Sequence, residues 1–207
     1  MDERMLLGQL RSVELPGSIE IDSIEKDFGQ LKADAFREGR EWGGCLVFHE
    51  GRLDLVDPAP GWKTEVSPKR DLTGDPNYVG FAHVHLPDDA TLQPYLGFSE
   101  RDYRGTVADG DRLALVTNGP EVFALVRSRD MTVPRQEIAG SEFSDWEKMY
   151  DRAAALSREE MRRSGKGRAS IAFNRALLDV NLYLCERLGF AFYRGDWGRP
   201  LRQVFRP

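Results

Sequence analysis

Two of the three histidines in this 207-residue chain stand two apart, as His83-Val84-His85. Their apolar surroundings predict a strand over residues 78–86. Side chains alternate along a strand, so positions two apart face the same side. His83 and His85 can therefore hold one ion from a single rigid element. Zinc favours imidazole and carboxylate ligands, and a catalytic zinc keeps three protein ligands and one open position. The third histidine, His49, lies just before a hairpin turn and is expected to be exposed. No histidine follows His85, so a carboxylate must complete the set. Asp88, Asp89 and Asp102 are the nearest downstream.

Asp102 belongs to Ser99-Glu-Arg-Asp102. Taken alone, this is a helix capping box, in which serine caps the first turn and an acidic residue three places later reaches back. A carboxylate brought to a helix start behind a His-x-His strand is also a metal ligand in waiting.

The elements needed to position these groups are legible around them. A helix is predicted from Asp22-Ser23 to Gly39, with Ile24, Phe28, Leu31, Ala35 and Phe36 at helical spacing. A hairpin follows: residues 45–48, a turn at Glu50-Gly51, and residues 53–56. After a proline-containing loop come the histidine strand, the loop PDDATLQPYLGF and a helix from Ser99 to about Ala108. Residues 112–117 and 122–126 read as strands joined at Asn118-Gly119, a turn that Pro120 lengthens. Beyond a linker near 128–140 the chain turns helical, about 142–163 and 169–188, with a short strand after Leu188-Gly189. The order is a mixed α/β (α+β) layout with hairpins rather than repeating βαβ units.

Composition fits a folded chain, with 41% apolar and 30% charged residues. No apolar run is long enough to span a bilayer, and the acidic start MDERMLLGQL does not read as a signal peptide, so a cytoplasmic location is expected. Cys45 and Cys185 both sit in apolar stretches and are expected to be buried and reduced. Charge is uneven. From Arg162 onward ten Lys/Arg face three Asp/Glu, leaving the preceding residues acidic. Docking of the basic tail on its own acidic body is expected ahead of nucleic-acid binding. Arg162, Arg163, Lys166 and Arg168 form a basic turn, either a solvated loop between helices or a partner dock.

Taken together, Glu41-Trp-Gly-Gly44, His83-Val-His85 and Ser99-Glu-Arg-Asp102 resemble the JAB/MPN/JAMM metalloprotease domain. The resemblance spans roughly residues 22–128. It implies a cytidine-deaminase-like mixed central sheet flanked by helices. The domain would occupy residues 1–130, with a C-terminal helical extension, residues 141–207, packed on it. It further implies His83, His85 and Asp102 as Zn2+ ligands, Glu41 as general base and Ser99 as a donor to the developing oxyanion. Glu38 is the rival of Glu41. The activity implied is cleavage after the C-terminus of ubiquitin or a ubiquitin-like protein. In bacteria the setting would be a ubiquitin-like conjugation pathway with E1-like and E2-like proteins, some of which act in antiviral defence. The loop PDDATLQPYLGF would touch the substrate, through Leu92, Tyr95 or Phe98. A metal-free scaffold of the same fold, or another metal-dependent hydrolase, are the alternative readings. Two departures stand out: Leu86 intervenes between His85 and Pro87, and the loop to Ser99 is long, which keeps Asp88 and Asp89 open as ligands.

Overall fold

The computed structural model describes residues 15–61, 74–87, 97–127, 141–164 and 166–206. Among these residues eight strands form one mixed sheet, in the order β1-β8-β7-β6-β5-β4-β2-β3. The strands are β1 (Ser18–Ile19), β2 (Trp42–His49), β3 (Arg52–Pro60), β4 (Tyr78–Val84), β5 (Leu113–Thr117), β6 (Glu121–Arg127), β7 (Phe190–Asp196) and β8 (Leu201–Phe205). The helices are α1 (Asp22–Glu38), α2 (Glu100–Asp109), α3 (Ser141–Ser164) and α4 (Lys166–Leu188). None is long and apolar enough to cross a membrane.

The sheet separates two cores. Ile24, Phe28, Leu31 and Ala35 of α1 pack on one face, against Leu46, Ala82, Val84, Leu113 and Leu115. Phe36, expected to join that stripe, is 45% exposed, because it lies one helical step off the line of the other four. On the opposite face Tyr103 and Val107 of α2 join Val180, Leu184 and Leu188 of α4 over Phe81, Ala114, Val116, Phe123 and Phe192. Cys45 and Cys185 are both buried, as expected from their surroundings, and neither is in a disulfide.

Among the described residues the unit β4–α2–β5 makes the only parallel pairing of the sheet, with Val84 beside Thr117. Close approach of these two strands depends on Gly80 in β4. A Cβ there would fall 1.7 Å from the carbonyl oxygen of Leu113. The segment expected as a helical extension also carries β7 and β8. They lie between β6 and β1, so the last third of the chain supplies strands to the same sheet.

Candidate metal centre

β4 brings His83 to its carboxyl end, and His85 follows one residue past it. Period-two alternation sets both on the face that carries Phe81, the face covered by α2. The Phe81 ring stacks on His83, with centroids 5.1 Å apart and planes 24° from parallel. Across the β2–β4 pairing, Gly43 stands directly opposite His83 and adds no side chain there.

Asp102 arrives from the first turn of α2. Ser99 is the N-cap: its Oγ accepts from the Asp102 N–H at 3.3 Å, and the Ser99 N–H donates to Asp102 Oδ2 at 2.6 Å. This reciprocal cap locks the carboxylate in place. Its Oδ1 lies 3.1 Å from Nε2 of His83, and its Oδ2 lies 3.2 Å from Nε2 of His85. The two Nε2 atoms are 2.9 Å apart.

With Asp102 ionised, as the two histidines hold it, protons cannot satisfy this triangle. A proton on each Nε2 serves the carboxylate but sets two donors against each other. A proton on one Nε2 leaves the other nitrogen's lone pair facing a carboxylate oxygen. One cation among the three satisfies every edge. Ligands about 2.0–2.1 Å from a tetrahedral zinc lie about 3.3 Å from each other, close to the spacings found. His83, His85 and Asp102 can therefore hold a metal ion, and the set is two imidazoles and a carboxylate. Burial alone would raise the Asp102 carboxyl, but His83 and His85 overcome it and hold it well below the usual carboxylate range. Among the described residues Nδ1 of His83 has no hydrogen-bond partner, and the ring is held by Phe81 rather than by the outer acceptor that ligating histidines commonly have.

Glu41 immediately precedes β2 and is 8% exposed. Its backbone carbonyl accepts from Gly61 N–H at 2.8 Å. The antiparallel register that sets Gly43 opposite His83 sets Glu41 opposite His85 when carried two residues on, on the same face of the sheet. Glu41 stays outside the three-ligand cluster. Glu38 is exposed, and its carboxylate takes hydrogen bonds from Arg40, Arg37 and Trp42 Nε1. A carboxylate so engaged is a poor base, which favours Glu41 over its rival.

Other expected residues fall elsewhere. Phe98, expected to touch substrate, is fully buried. Its ring meets Tyr103 and Phe192 in the core, because the α2 cap draws it inward. His49 is exposed at the end of β2. Arg162 and Arg163 are exposed near the end of α3, and Arg163 pairs with Glu159. Asp88, Asp89, Leu92 and Tyr95, and the side chains of Lys166 and Arg168, lie outside the described residues. Two asparagines were missed in the sequence. Asn181 of α4 accepts from Phe98 N–H and from the Tyr103 hydroxyl, both at 2.9 Å. An asparagine inside the apolar run LLDVNLYLC is the signal that marks it. In sequence Asn118 carries only a turn signal, as part of Asn118-Gly119.

No family model, curated protein or solved structure matches this chain.

Proposed function

We propose that this chain is a zinc-dependent hydrolase of the JAB/MPN/JAMM type. Its reaction is cleavage of the amide after the C-terminus of a ubiquitin-like protein, as a fusion or a conjugate. The observation that carries the reading is the convergence of His83, His85 and Asp102 within 3.2 Å of one another, behind a Ser-x-x-Asp cap. The mixed sheet flanked by helices and the buried Glu41 ahead of β2 support it.

Zinc held there would supply Lewis acidity and lower the pKa of a coordinated water to about 7. Glu41, opposite His85 in register, would take the proton of the attacking water and deliver it to the leaving amine. Ser99 keeps a hydroxyl hydrogen to donate, because its Oγ is the acceptor in the cap. That hydrogen would meet the charge that develops on the carbonyl oxygen. Partners of this reading are the ubiquitin-like substrate and, in a bacterial cytoplasmic conjugation pathway, E1-like and E2-like proteins.

The test pairs metal content with cleavage. Protein purified without chelators should carry about one zinc per chain. It should cut a ubiquitin-like fusion, and Glu41→Gln should cut it about 10²–10⁴-fold more slowly with zinc retained. Equal rates for the variant and the wild type would overturn Glu41 as the base. Absence of zinc would overturn the class.

A further inference from the structure

Asn118 sits at the carboxyl end of β5, beside the metal centre. The parallel register sets His83 beside Val116 and Val84 beside Thr117, and His85 N–H donates to the Thr117 carbonyl at 2.9 Å, one residue past β4. The next step along both strands sets His85 beside Asn118, at the ~4.8 Å spacing of paired strands. Faces follow from the cores. Leu113 and Leu115 point to α1, while Ala114 and Val116 point to α2. Asn118 therefore shares the face of Phe81, His83 and His85.

Its side chain is 2% exposed. Oδ1 accepts from Glu121 N–H at 3.1 Å and so closes the β5–β6 turn. That bond fixes which end of the amide is oxygen. Nδ2 then has no hydrogen-bond partner among the described residues. The turn needs only the acceptor, and a serine or aspartate would provide one. Among the described residues nothing uses the buried donor, and natural cores seldom leave such a group unpaired.

We infer that Asn118 Nδ2 is a ligand-binding donor of the metal centre, placed to receive a carbonyl or carboxylate oxygen of the molecule bound there. It rests on the reading of His83, His85 and Asp102 as a metal site. Glu41, His85 and Asn118 form one row across the adjacent strand ends of β2, β4 and β5. Acid–base chemistry sits on one side of the histidine and oxygen recognition on the other. Ser99 approaches from α2, above this row.

The experiment uses the full chain loaded with Co2+, whose visible absorption reports on its ligands, and titrates it with N-acetylglycine. This probe presents both oxygen types. Asn118→Ala removes the amide, and Asn118→Ser keeps an oxygen for Glu121 N–H while losing the amide donor. Both variants should take up Co2+ with the wild-type spectrum and bind the probe at least ten-fold more weakly. Should Asn118→Ala fail to fold, Asn118→Ser carries the comparison. Probe affinity within two-fold of wild type in a folded variant would overturn the inference. So would a cobalt-loaded wild type that ignores the probe, with the metal reading left standing. A wild type that takes up no Co2+ would overturn both.

Discussion

The Ser99 N–H donates to Oδ2 of Asp102 at 2.6 Å, and that oxygen also faces Nε2 of His85 at 3.2 Å. One carboxylate thus completes a helix cap and a cluster that can hold a metal ion. In sequence, Ser-x-x-Asp reads as one or the other. In the fold the cap is what aims Oδ1 at His83. Substitution separates the roles. Ser99→Ala removes the hydroxyl acceptor, should cost about 1 kcal/mol of stability, and should leave zinc affinity within a few-fold. Asp102→Asn keeps a polar side chain but loses the charge, so zinc affinity should fall by more than the ~10–100-fold typical of outer-sphere partners. Urea denaturation and competition with a chromophoric chelator measure the two effects. Wild-type zinc affinity in Asp102→Asn would remove Asp102 from the ligand set.

Metal binding should also appear as stability. An ion that binds only the folded chain, present at a thousand times its Kd, adds about 4 kcal/mol. For a chain of this length that raises Tm by roughly 10 °C. Added zinc should shift the wild type accordingly, a chelator should reverse the shift, and His83→Ala should not respond. A matching shift in His83→Ala would mean the ion binds elsewhere.

Asp111, just past α2, is 1% exposed. Burial pushes its carboxyl up from 3.8 to about 8. The Tyr78 hydroxyl and Arg127 pull it down, and Asp109 pushes it further up. The folded chain therefore holds a proton that the unfolded chain releases near pH 4. Stability from this group is complete below pH 4 and is lost as pH rises toward 8, with a slope of at most about 1.4 kcal/mol per pH unit. Asp111→Asn cannot titrate. Unfolding free energies from urea melts between pH 4 and 8 should therefore fall more steeply for wild type than for Asp111→Asn. Parallel curves would show that Asp111 is ionised in the fold.

Local pattern made part of this fold legible. The Ile24–Phe28–Leu31–Ala35 stripe, the Asn118-Gly119 turn and the alternation through His83 and His85 are short-range signals, and each element stands where its signal lies. β8 and the partner of β1 were not legible. β1 is two residues long and exists by pairing Ser18 with Arg202, a contact between the two ends of the described chain that no local pattern carries. The site divides the same way. Two ligands share one strand, so spacing alone pairs them. The third, Asp102, needs the β4–α2 connection to bring it back over the sheet. Glu41 and Asn118 take their places beside His85 only through strand register, and sequence does not state register.

Asn181 tests how far the C-terminal third supports the site. It is 1% exposed in α4, and its Nδ2 donates to the Leu177 carbonyl at 2.9 Å. Its Oδ1 receives Phe98 N–H and the Tyr103 hydroxyl. Gly97 makes the approach possible, since a Cβ there would lie 2.8 Å from that same oxygen. Phe98 precedes the N-cap, and Tyr103 follows Asp102. The amide therefore grips both flanks of the segment that presents the third ligand. Asn181→Ala takes the acceptor from Phe98 N–H, while the Tyr103 hydroxyl keeps the Asn181 backbone carbonyl at 3.2 Å. One buried donor left unmatched should cost about 1–3 kcal/mol of stability. Ser99→Ala keeps the backbone bond that aims Asp102, whereas Asn181→Ala frees the segment on both flanks, so here zinc affinity should fall about 10–100-fold, as for other outer-sphere losses. Denaturation and chelator competition on the folded variant separate the effects. A less stable chain with wild-type zinc affinity would make α4 a support of the core alone, because a merely weaker core does not move the Ser99–Asp102 cap.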